Sequence, residues 1–130
     1  MRRFVAFPAL LALLLLGCDA KAEGKEIIEA VKLAVSSEVE SKCPLEHYPI
    51  SVCLMLNPAT PVWWHQLELP TALWRAGVTL DGAWETLSNY ATDATVYVHE
   101  YHDDSYEYVS LILEYDWGGI FLEFYGMPRR

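Results

Sequence analysis

A chain of 130 residues, 53% of them hydrophobic and carrying a formal charge of −9, can bury the core of one domain and is too short for two. Its acidity repels the phosphates of nucleic acid and anionic headgroups. Nucleic acid is therefore excluded as a partner, and the expected partners are proteins or ligands of neutral or basic character.

The chain opens Met1-Arg2-Arg3, runs without a charge from Phe4 to Leu16, and continues Gly17-Cys18-Asp19. A basic start, a short apolar stretch and a small residue at its end are the parts of a secretory signal. The stretch is shorter than the roughly 20 apolar residues that span a bilayer. Its end, Leu15-Leu16-Gly17-Cys18, resembles the lipobox of bacterial lipoprotein precursors. That resemblance implies removal of residues 1–17, diacylglycerol on the sulfur of Cys18 and acylation of its new amine. The product would be held at a bacterial cell membrane, facing the periplasm or the cell exterior. Asp19 resembles the residue that keeps many lipoproteins in the inner membrane. Acyl chains contribute about 0.8 kcal/mol per buried methylene, so such an anchor is stable without a transmembrane helix. Losing 17 of 130 residues, Arg2 and Arg3 among them, leaves 113 residues with 18 acids against seven bases, a charge of −11. Residues 18–24 then form a short tether and 25–130 a single domain.

The cysteine count fits the same picture. With Cys18 lipidated, Cys43 and Cys53 are left to pair in an oxidising compartment. Closing that loop is worth about 2.8 kcal/mol of chain entropy. A metal or redox pair is the alternative, but the spacing is not CxxC.

From Glu23 to Glu40, Ile27, Ile28, Val31, Ala34, Val35 and Val39 recur at spacings of three and four, which predicts an amphipathic helix. Residues 42–61 read as a proline-punctuated loop with a short strand over Ile50–Leu56. Val62 to Leu69 alternates, with Trp63, His65, Leu67 and Leu69 on one side, which predicts a half-buried strand ended by Pro70. Thr71 to Ala76 predicts a short helix closed by Gly77, and Thr79 would cap a second one carrying Leu80, Trp84, Leu87 and Ala91. Ala76-Gly77-Val78-Thr79 between two helices superficially resembles a helix-turn-helix, but with Arg75 as the only local cation it cannot grip phosphates.

The last third predicts an antiparallel meander: Thr95–His102, a turn at Asp103-Asp104-Ser105, Tyr106–Tyr115, a turn at Asp116-Trp117-Gly118-Gly119, and Ile120–Tyr125. If Asp104-Ser105 is a two-residue loop, Val98 faces Leu111 and Val96 faces Leu113, with Leu122 and Phe124 continuing that core surface. The other face would carry Tyr97, His99, Tyr101, Tyr106, Tyr108, Ile112, Phe121 and Tyr125. It is either covered by another layer or left open as a contact surface.

The densest polar cluster is His99-Glu100-Tyr101-His102-Asp103-Asp104, with Glu107 across the turn. On a strand His99 and His102 point to opposite faces, so a zinc or copper site would use Glu100, His102 and Glu107. No GxSxG elbow or catalytic-type cysteine is present, although paired carboxylates of a hydrolase depend on the fold and stay open. Of the five tryptophans, Trp117 in its turn is the expected exposed anchor.

The expected helix from Thr79 to Tyr90, entered through Gly77-Val78-Thr79 and followed by a hairpin ending Leu113-Glu114-Tyr115-Asp116-Trp117-Gly118-Gly119, is similar to the small helix-then-meander accessory lipoproteins of outer-membrane assembly. The proline expected after their helix is absent, and residues 42–70 have no counterpart in them. The likeness implies a binding role. The expected fold is α+β: an N-terminal helix and one or two short helices packed on an antiparallel sheet that ends in a three-stranded meander. The expected function is a membrane-anchored envelope lipoprotein that binds a protein partner without catalysis. Its candidate contact residues are Tyr97, Tyr101, Tyr106, Tyr108 and Trp117, and no cofactor is expected beyond the lipid on Cys18. The alternatives are a periplasmic binder of a small ligand, glycan, zinc or copper, and then a hydrolase.

Overall fold

The computed structural model describes residues 24–35, 37–87 and 91–130. Cys18, Asp19 and the rest of the expected leader and tether up to residue 23 lie outside them. The fold is α+β. A helix α1 over residues 24–34 precedes strands β1 (Ser37–Ser41) and β2 (Ile50–Leu56), a helix α2 (Val62–Arg75), and strands β3 (Thr79–Leu87), β4 (Ala94–His102), β5 (Tyr106–Tyr115) and β6 (Ile120–Pro128). The six strands form one antiparallel sheet in the order β1-β2-β6-β5-β4-β3. It is larger than the three-stranded meander, which occupies its centre.

The β4–β5 hairpin has the expected register, with Val98 opposite Leu111 and Val96 opposite Leu113. Asp103 fixes it. Its Oδ1 accepts the backbone N–H groups of Ser105 and Tyr106 at 2.9 and 2.7 Å, and its Oδ2 accepts the Tyr108 hydroxyl at 2.6 Å. The next turn differs by one residue from the expected geometry. Tyr115 and Gly119 close on each other around a three-residue loop whose last member, Gly118, has φ +104°. An odd loop shifts the side-chain parity, so Phe121, and not Leu122, lies opposite Leu113. Leu122 and Phe124 therefore join Tyr108 and Ile112, and Phe121 and Tyr125 join Leu111 and Leu113, a correction to both expected faces.

The main core lies on the tyrosine side. Ile27 and Val31 of α1, and Leu69 and Leu73 of α2, pack with Ile50, Val52, Leu54 and Leu56 of β2 and with Tyr101, Tyr108, Ile112, Leu122 and Phe124. A smaller cluster on the opposite face holds Cys53, Val96, Leu111, Leu113 and Tyr125, flanked by Cys43, Leu45 and Tyr48. Cys43 and Cys53 form the expected disulfide, which draws the 42–49 loop over this second face. There the Tyr48 ring lies 5.0 Å from that of Tyr125, whose hydroxyl donates to Glu123 at 2.8 Å.

Three expected elements are corrected. The N-terminal helix ends at residue 34, and Val39 belongs to the edge strand β1. Val62–Leu69 is not a strand but the first half of α2, which continues through Pro70 to Arg75. A proline inside a helix frees the carbonyl four residues earlier. Here that carbonyl, Gln66 O, accepts the Trp84 indole N–H at 2.8 Å, so the lost helix bond is replaced by one to β3. Helix α2 then ends as expected at Gly77 (φ +93°): Gly77 N–H bonds Trp74 O and Val78 N–H bonds Leu73 O, both at 3.0 Å. Thr79–Leu87 is a strand, not a capped helix, and pairs with β4 through an irregularity between Asp81 and Glu85. The likeness to outer-membrane assembly accessory lipoproteins loses the helix it was drawn from.

Substituting Trp84 by Phe should cost about 1 kcal/mol, because it removes the donor from a partly buried acceptor. In a Pro70→Ala background the restored amide can serve Gln66 O, so the same substitution should cost less. A double-mutant cycle by urea unfolding measures that coupling, and additive losses would contradict it.

Candidate functional site

The helix layer decides which candidate residues are accessible. Tyr101 and Tyr108 are 1% and 4% exposed beneath α1 and α2, which corrects the expectation that they face a partner. The Tyr101 hydroxyl and Ser110 Oγ lie 2.8 Å apart, and the Tyr101 ring stacks on His99 at 4.5 Å. Burial pushes the Tyr101 phenol well above its ordinary range. Tyr97 and Tyr106 are half-buried at the edges of the same face, and Tyr97 donates to Glu114 Oε1 at 3.3 Å. Burial, followed by the Glu114 carboxylate, raises the Tyr97 phenol as well. Of the five contact candidates, only Trp117 is fully presented, at 68% exposure.

Trp117 is held in place. Its ring stacks on Tyr115 at 5.5 Å and meets Phe121 edge-on at 6.1 Å, while Tyr115 and Phe121 meet at 5.6 Å and 90°. The indole also lies across Gly119, where any Cβ would collide with the ring. These three rings form an aromatic platform on the face that the helices leave open. Beside it is a cleft of about 230 Å³ lined by Ser41, Lys42, Glu123 and the Cys53 end of the disulfide. Trp117 was legible in the sequence as a turn residue. Phe121 was assigned to the wrong face by the one-residue slip at the turn.

The hairpin tip is arranged differently from the proposed metal set. Glu100 and His102 share one face of β4, and Glu107 stands opposite His102. The His102 imidazole, however, engages Asp81 of β3, with Nδ1 at 2.8 and 2.9 Å from its two oxygens. Glu107 lies 3.7 Å from the Arg129 guanidinium, which also donates to Asp103 O at 3.1 Å. Among the described residues, no three His, Cys, Asp or Glu side chains converge on a point that could hold a metal ion. The tip instead borders an open cleft of about 490 Å³ lined by Tyr48, Asp81, Glu100, His102, Glu107 and Arg129. Sequence reasoning missed Asp81 because it placed that residue on a helix. The cleft presents one imidazole–carboxylate pair, further carboxylates and the Arg129 guanidinium, a polar and mostly acidic surface.

The alternating pattern predicts a strand at His65. On α2 it is fully buried, and among the described residues neither ring nitrogen has a hydrogen-bond partner. Burial lowers its pKa from 6.5, because the charged imidazolium would be left without solvent. The unfolded chain thus binds a proton more readily, and stability contributed by the neutral ring is lost as the pH falls below about 6.5. His65→Leu should flatten part of the fall in melting temperature between neutral and mildly acidic pH. An identical slope in both proteins would show that His65 does not contribute.

Comparison with protein-family models, curated proteins and solved structures finds no match to this chain. No helix among the described residues is long and apolar enough to cross a membrane.

Proposed function

We propose that the chain is a membrane-anchored envelope lipoprotein whose domain binds a protein partner, without catalysis, through the open face of its sheet around Trp117. The observation that carries this reading is the exposed Trp117 ring fixed by Tyr115 and Phe121. An aromatic side chain already ordered before contact loses little entropy on binding, and tryptophan is enriched among residues that dominate interface energies. The lipobox at Leu15–Cys18 supports the anchor, and the Cys43–Cys53 disulfide fits an oxidising compartment. The partner surface is reassigned from Tyr101 and Tyr108 to Trp117, Tyr115 and Phe121. A glycan is the second reading, because the same ring platform borders Lys42 and Glu123, which suit sugar hydroxyls.

Crosslinking and pull-down from native membranes should recover an envelope protein with the full chain. Trp117→Ala should abolish recovery at an unchanged melting temperature, and Cys18→Ser should release the protein from the membrane fraction. Recovery equal to wild type with Trp117→Ala would overturn the assigned surface. Trp117-dependent retention on a glycan array, with no protein recovered, would replace the protein partner by a sugar.

A further inference from the structure

Helix α2 carries apolar side chains on two sides. His65, Leu69 and Leu73 enter the core, while Trp63, Leu67 and Trp74 are 64%, 58% and 67% exposed. At about 100° per residue these three fall within about 40° of one another, on the side of the helix away from the core. The two charged residues of the helix, Glu68 and Arg75, lie about a third of a turn from that stripe by the same count. A helix of a water-soluble domain ordinarily carries one apolar stripe. A second one, with tryptophan at both ends and no charge within it, calls for an apolar or interfacial neighbour.

The tether indicates which neighbour. A groove lined by Glu26 and Ile27 of α1 and by Ala76 and Gly77 shows that the start of α1 lies beside the C-terminal end of α2, where Trp74 precedes Ala76 by two residues in the chain. Only five residues separate Cys18 from Gly24, and the six Cα-to-Cα steps, at about 3.3–3.6 Å each, reach roughly 20 Å. A lipid on Cys18 therefore keeps that end of α2 close to the headgroups. Tryptophan is enriched at this level of a membrane, where its ring meets acyl chains and its N–H meets water.

We infer that α2 is a membrane-contact helix: Trp63, Leu67 and Trp74 seat in the lipid–water interface and orient the anchored domain with Trp117 available to a partner. The inference rests on lipidation of Cys18. Membrane contact would restrict the domain's rotation about its tether, and the remaining acidic surface would be repelled from anionic headgroups.

The test reconstitutes the full lipidated protein in vesicles of phosphatidylethanolamine and phosphatidylglycerol with brominated acyl chains, after its mass has shown whether Cys18 is acylated. Part of the tryptophan emission should be quenched. That fraction should be mostly lost in Trp63→Phe/Trp74→Phe and retained in Trp117→Phe. Acylated protein whose quenched fraction is unchanged by the double substitution overturns the contact helix and leaves the anchor standing. Shielding of Trp63 and Trp74 that follows protein concentration and ignores brominated lipid assigns the stripe to a second copy, and also overturns it. A mass without the lipid overturns both readings.

Discussion

The hydrogen bond from the Trp84 indole to Gln66 O joins the parts of the fold that local sequence alone would keep separate. Pro70 deprives that carbonyl of its helical donor, and an edge strand supplies another. With α2 fixed to β3 in this way, Leu69 and Leu73 bear on the sheet from the tyrosine side. Tyr101 and Tyr108 are consequently core residues, and the opposite face becomes the accessible one. The surface available for function is thus decided by where α1 and α2 rest.

The two sheet faces are finished by different means. On the helix side, stacked rings and aliphatic side chains exclude water, and Tyr101 and Tyr108 satisfy their hydroxyls through Ser110 and Asp103. On the other side a disulfide-tied loop covers the middle, around Tyr125, and leaves the β5–β6 end open. The Trp117 platform stands at that open end. The proposed binding role rests on this arrangement, an ordered aromatic turn presented by a rigid scaffold.

The sequence was informative where local chemistry dominates. The Asp103 turn specifies the β4–β5 register, Gly77 ends α2, and Ile50–Leu56 reads as a strand through its apolar run between prolines. It misled where tertiary contacts override local signals. Trp63, His65, Leu67 and Leu69 alternate, yet α2 is apolar on two sides, so its residues fit a period of two as readily as one of 3.6. Pro70 looked like a terminator because its compensating donor, Trp84, lies in another element. Leu80 and Trp84 are spaced as on a helix, but an irregular edge strand also puts them toward the core, since residues four apart share a strand face. The odd loop at Trp117 inverted the face of β6 and concealed Phe121's place in the platform. No local pattern announced the His102–Asp81 pair, because it forms across two strands, one of which was read as a helix.

The most direct test of the central claim, that the Trp117 face is the working surface of an anchored domain, is hydroxyl-radical footprinting of the protein in native membranes and after purification. The account predicts that Trp117 is labelled readily in the purified protein and protected in the membrane, while Tyr101 and Tyr108 stay protected in both. Equal labelling of Trp117 in the two states would contradict it.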